Sequence, residues 1–103
     1  MEVDGDKFQE IVSTADKPVF TLFWASWCTA CKRSEVTARE IEEERDDVLV
    51  LEVNVDKNPQ VRDEYDILGV PTFMLFDKGE LKERRVAAQA KKQLNKMIDT
   101  YVR

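Results

Sequence analysis

The stretch FWASWCTACK, residues 23–32, sets two cysteines three positions apart where an apolar run gives way to a charged one. Upstream, PVFTLFWA from Pro18 is rich in Val, Phe, Thr and Leu. It is too short for a core helix and β-prone throughout, so it reads as a central strand. Downstream, residues 29–45 place Ala30, Ser34, Thr37, Ala38 and Ile41 on one helical face and mostly Lys, Arg and Glu elsewhere. A small inner face lets such a helix lie close to a sheet, with Phe20 and Phe23 as its expected partners. The cysteines therefore fall at a strand-to-helix junction, Cys28 at the N-cap and Cys31 at N3.

In that position the Cys28 sulfur faces the unpaired N–H groups of the first turn. Those donors and the positive end of the helix dipole favour thiolate over thiol. A thiolate there attacks a disulfide, and Cys31, one turn inward, resolves the mixed disulfide by bonding to Cys28. Two other readings fit the spacing alone: half of a metal site, or two buried thiols with no chemistry. A metal site needs two further ligands, and with no third cysteine and no histidine in the chain these could come only from carboxylates or a second subunit. The junction of strand and helix inside a βαβ pattern is the context that points to redox chemistry.

The flanking chain supplies that pattern. DGDKFQEIVSTAD, from Asp4, spaces Phe8, Ile11, Val12 and Ala15 as a short helix with Asp4 or Asp6 as its cap. VLVLEVNVD, residues 48–56, is a second strand, followed by Asn58 as an N-cap and Pro59 at the first helical position. The short helix that follows runs through Val61, Tyr65 and Leu68 and is broken by Gly69. TFMLF, from Thr72, is a third strand. Asp77-Lys78-Gly79 reads as a hairpin loop leading into ELKERRV, whose charges suit a sheet edge. A last helix aligns Leu94, Met97, Ile98, Tyr101 and Val102. The order predicts parallel strands joined by a right-handed crossover and an antiparallel hairpin at the edge. The expected fold class is α/β: a three-layer α/β/α domain with a mixed central sheet of about four strands.

Composition narrows the function. At 103 residues the chain is expected to be a single domain, residues 1–103. It carries 21 acidic against 16 basic side chains, for a net charge of −5. The basic residues are scattered, which argues against nucleic acid and anionic membrane as partners. No basic segment followed by an apolar one opens the chain, and no apolar run approaches the ~18 residues a bilayer needs. The expected location is cytoplasmic and the expected state a monomer. Without histidine, Cys-His and Ser-His nucleophilic chemistry is excluded.

FWASWCTACK, NVDKNPQVRDEYDILGVPTFMLFDKGE and the placement of the last helix together resemble the thioredoxin family over nearly the whole chain. The resemblance implies a thioredoxin fold and a thiol-disulfide oxidoreductase that reduces protein disulfides, with no bound cofactor beyond a redox-active Cys28–Cys31 disulfide. It implies Cys28 as nucleophile, Cys31 as resolving cysteine, and Pro71 in a cis peptide facing them. Trp27, Thr29, Ala30, Gly69 and Val70 would border the substrate groove, the backbone of Val70 hydrogen-bonding an extended substrate segment, with Val86 also on its wall. Trp24 reads as a packing residue. The electron donor would be a thioredoxin-reductase-like protein. Runner-up readings are a disulfide oxidase or relay domain, and a non-enzymatic binding module that keeps the fold.

Four departures from the family pattern stand out. Thr29-Ala30 replaces Gly-Pro between the cysteines, which restores an N–H at position 30 able to point at Cys28 and predicts a more oxidising pair. Leu22 and Glu52 stand where typical members carry a buried acid and a strand lysine, so Glu52 is expected as a buried carboxyl group near Cys31, suited to general acid-base help. Val36 replaces a helix-kinking proline. Ala87 stands near a groove glycine, and the family's N-terminal strand is largely absent.

Overall fold

The computed structural model describes residues 1–102. In chain order it forms α1 (Gly5–Thr14), β1 (Val19–Trp24), α2 (Thr29–Glu44), β2 (Leu49–Asn54), α3 (Pro59–Glu64), β3 (Thr72–Asp77), β4 (Glu80–Val86) and α4 (Lys91–Tyr101). The sheet order is β2-β1-β3-β4. β1 and β2 are parallel, the pairs β1–β3 and β3–β4 antiparallel, so the sheet is mixed as the sequence predicts.

Alternation along the strands divides the core into two layers. On one face Phe23, Leu51, Val53, Met74 and Phe76 pack with Phe8 and Val12 of α1 and Val61 of α3. On the other, Phe20, Leu22, Val50, Phe73 and Leu75 pack with Ala38 and Ile41 of α2 and Leu94, Met97 and Ile98 of α4. Phe8 is the hub of the first layer, its ring meeting Phe23, Phe76 and Tyr65 edge-on at 5.4, 5.5 and 5.9 Å. Phe20 stacks on Phe73 in the second, at 5.5 Å. The expectation that Phe20 and Phe23 both meet α2 is thus half right: residues three apart on a strand point to opposite faces. The inner face of α2 likewise shifts, to Cys31, Ser34, Ala38 and Ile41, with Ala30 exposed.

One local reading holds and two are corrected. Asp4 caps α1, accepting the Lys7 N–H at 2.8 Å. Asn58 does precede α3, but its side chain makes no cap there. Its Oδ1 accepts the Gly5 N–H at 2.8 Å and its Nδ2 donates to the Asn54 carbonyl at 2.9 Å, tying α1 to the end of β2. A Cβ on Gly5 would lie 2.8 Å from a Val61 methyl, so glycine is what allows this close approach. Gly69 does not end α3. The helix stops at Glu64, and Asp66 turns the chain in the left-handed region at φ 51°. Leu68 therefore lies outside the helix. At the β3–β4 hairpin both Lys78 and Gly79 take positive φ, 54° and 81°, the signature of a tight turn matched to strand twist.

Candidate active site

β1 ends at Trp24, and α2 begins at Thr29 with Cys28 as its N-cap, so the sheet delivers both cysteines to the end of the first core layer. Cys28 and Cys31 are joined as a disulfide with Cα atoms 5.3 Å apart, within the range a disulfide requires. Both cysteines are buried, Cys28 at 7% exposure and Cys31 at 1%, so Cys28 is the less sheltered of the two. The Cys31 N–H donates to the Cys28 sulfur at 3.2 Å, the capping bond by which a helix start stabilises negative charge. The expected donor was the N–H of Ala30. The bond belongs instead to position 31, so a proline at position 30 would leave it intact.

A second chain segment meets the first sulfur. The Val70–Pro71 peptide is cis, and the Val70 carbonyl oxygen lies 3.5 Å from Cys28 Sγ. This segment is tied on both sides: Thr72 Oγ1 donates to the Gly69 carbonyl at 2.7 Å, and the Ala87 N–H donates to the Pro71 carbonyl at 2.8 Å. Ala87 holds φ 76°, a left-handed conformation that glycine adopts without strain. Trp27 is 70% exposed beside Cys28. Its indole N–H donates to Asp56 Oδ2 at 2.8 Å, and Arg62 Nη1 lies 3.7 Å from the other Asp56 oxygen. Asn54 Oδ1 in turn accepts the N–H groups of Asp56 and Lys57, at 2.9 and 3.2 Å, which fixes the loop that carries Asp56. Sequence reasoning missed Asp56. Its position two residues beyond β2 was the available signal, but only the fold brings it to Trp27.

Gly69 and Val70 thus line a small hollow with Trp27, and the Val70 carbonyl connects it to Cys28; Thr29 and Ala30 form the exposed first turn of α2. Glu52 is buried, at 2% exposure, opposite Leu22 in the β1–β2 register. Its carboxylate receives Arg39 Nε and Nη2 at 3.5 Å and lies 3.9 Å from the amine of Met1; no contact with a cysteine is present among the described residues. Trp24 is half-buried, with its indole N–H donating to Glu2 Oε1 at 3.1 Å. Burial, then the nearby Glu52 and Glu35, push the Glu2 carboxyl up. Among the described residues no group of three or more Cys, His, Asp or Glu is placed to hold a metal ion.

A disulfide whose first sulfur caps a helix start and meets the Val70 carbonyl, with the second cysteine more deeply buried, is equipped for thiol-disulfide exchange. Comparison with known proteins agrees. The thioredoxin family model matches residues 1–100. A thioredoxin of Acidithiobacillus ferridurans is 39% identical over 99 residues, 95% of this chain and 92% of that one. One of Rickettsia typhi is 42% identical over 88 residues, 84% of each chain. Among solved structures, a mutant thioredoxin from Halobacterium salinarum NRC-1 superposes with a TM-score of 0.92 at 31% identity, covering 100% of this chain and 90% of that chain. The fold, the cysteine pair and these relatives together establish that the chain belongs to the thioredoxin family.

Proposed function

We propose that this thiol-disulfide oxidoreductase works in the reducing direction on protein disulfides, with Cys28 as nucleophile and Cys31 as resolving cysteine. The observation that carries the reading is the asymmetry of the pair: Cys28 is the less buried of the two and its sulfur receives the Cys31 N–H at 3.2 Å, while Cys31 lies deeper. The Cys28 thiolate attacks one sulfur of the partner's disulfide, and the other leaves as a thiolate that takes up a proton. Cys31 then loses its proton and attacks the Cys28 sulfur, releasing the partner's second thiol. Two electrons pass to the partner with two protons, one from Cys31 and one from solvent that replaces the proton Cys28 gave up on ionising, and the chain is left with its Cys28–Cys31 disulfide. A thioredoxin-reductase-like donor restores the dithiol.

In this reading the partner's backbone lies along Gly69, Val70 and Pro71 beside Trp27 and the Thr29-Ala30 turn, and the chain acts as a single-domain cytoplasmic monomer with no nucleic-acid or membrane partner. The half-exposed face of this groove and the scattered basic residues support it. No helix among the described residues is long and apolar enough to cross a membrane.

The test is reduction of insulin disulfides with dithiothreitol as electron source. The parent chain is expected to be active and Cys28→Ser inactive. Cys31→Ser is expected to accumulate the mixed disulfide on Cys28, visible by mass spectrometry under non-reducing conditions. Equal activity of Cys28→Ser and parent would end the proposal. Glu52 is the acid-base candidate of this reading, although its carboxylate pairs with Arg39 and touches no cysteine among the described residues: Glu52→Gln is expected to shift the pH dependence of reduction, and an unchanged profile removes Glu52 from the mechanism. A redox titration fixes the direction, since a strongly oxidising potential would favour the oxidase or relay reading.

A further inference from the structure

Leu68 is the most exposed large apolar side chain described, at 97%. It stands on a fixed loop. The preceding Ile67 is 4% exposed and its N–H donates to the Arg62 carbonyl at 3.0 Å. Arg84 Nη1 donates to the Asp66 carbonyl at 3.4 Å, and Thr72 holds the Gly69 carbonyl. An isobutyl group held fully in water at a constrained position gains nothing for the fold, and a polar side chain there would keep every one of these backbone bonds. Its location gives it a partner. A small hollow joins Leu68 to Trp27 and Val70 next to Cys28, and on its other side an open cleft of about 540 Å³ is walled by Arg62, Asp63, Asp66 and Ile67. Arg62 is matched by Asp56 at 3.7 Å, whereas the carboxylates of Asp63 and Asp66 have no ion pair among the described residues.

We propose that Leu68, with Asp63 and Asp66, forms a lateral subsite that selects partner proteins carrying an apolar side chain followed by lysine or arginine on one side of the reactive cysteine. This rests on the exchange reading, because the segment reaches the cleft only while its cysteine is at Cys28. Apolar contact supplies attraction at Leu68, and the two unmatched carboxylates supply the sign of charge that is accepted.

The experiment follows oxidation of the pre-reduced protein, by tryptophan emission, with four synthetic disulfide peptides whose residues beside the cysteine are Leu-Lys, Leu-Glu, Ser-Lys or Ser-Glu. Leu-Lys is expected to react fastest, roughly tenfold over Ser-Glu. Leu68→Ser is expected to erase the preference for Leu while keeping that for Lys. The Asp63→Asn, Asp66→Asn double variant does the reverse, and 0.5 M salt (about half the screening length of 0.1 M salt) weakens only the lysine preference. Equal rates for the four peptides, or an unchanged Leu preference in Leu68→Ser, overturns the subsite. Hydroxyethyl disulfide, which lacks flanking residues, separates the two levels: if it oxidises the wild type while the peptides show no preference, only the subsite falls, and if neither reacts, the exchange reading falls with it.

Discussion

Ala87 shows how much one side chain can cost where the backbone is committed. Its N–H is held by the Pro71 carbonyl at 2.8 Å and its φ is 76°, so the bond that shapes the groove fixes a conformation in which a Cβ is strained. Ala87→Gly is expected to raise the free energy of unfolding by up to about 1 kcal/mol, the relief of strain exceeding glycine's extra freedom in the unfolded chain. Urea denaturation of both forms checks this, and a loss of stability would mean that the methyl group makes contacts that outweigh the strain. Trp27 is controlled in a comparable way by one acceptor, Asp56, which holds the indole at 2.8 Å although the ring is mostly in water. Local identity made the cysteines and Trp27 legible, whereas Asp56 needed the β2 loop to be in place. The cis state of Pro71 was legible only through the family resemblance, since an isolated X-Pro bond favours trans.

Among the elements, the edge of β2 is where the structure adds most to the sequence. Residues 1–3 lie beside Glu52: the Val3 N–H donates to its carbonyl at 3.0 Å, and its own N–H donates to the Met1 carbonyl at 2.9 Å. This leaves a single parallel bridge, Glu2 to Glu52, where a longer first strand was expected to be missing. The Glu2 carboxyl is pushed up by burial and by Glu52 and Glu35. An acid whose folded-state pKa is raised stabilises the fold only while it is protonated. That contribution is lost as pH rises through the folded pKa, and it is full below the unfolded value of about 4.5. Glu2→Gln keeps an acceptor for the Trp24 indole and removes the charge. It is expected to raise Tm at pH 7, by a few degrees at most, and to leave Tm unchanged near pH 3.5. A decrease at pH 7 would contradict this account of the edge. Neither the bridge nor the carboxyl cluster could be read from sequence, because their members are far apart in the chain and two charged residues at a strand edge look solvated.

Taken as a whole molecule, the layering was legible because apolar strands and amphipathic helices alternate cleanly, and the β1–α2–β2 unit fixes where the cysteines sit. What periodicity could not settle was orientation at short range. It put Phe20 and Phe23 on one helix although a strand turns residues three apart to opposite faces, and it carried α3 through Leu68 and chose Ala30 over Cys31 as the donor to sulfur, where the outcome depends on the local backbone path. The consequence for function is a sulfur at the rim of the first core layer, backed by the rigid sheet and met by a helix start. Alkylation of the reduced protein by iodoacetamide at pH 7, with Cys28 and Cys31 followed separately by peptide mapping, tests that arrangement most directly. Cys28 is expected to react at least about ten times faster than glutathione while Cys31 stays protected; a Cys28 rate no higher than glutathione's, or equal rates at the two cysteines, would contradict it.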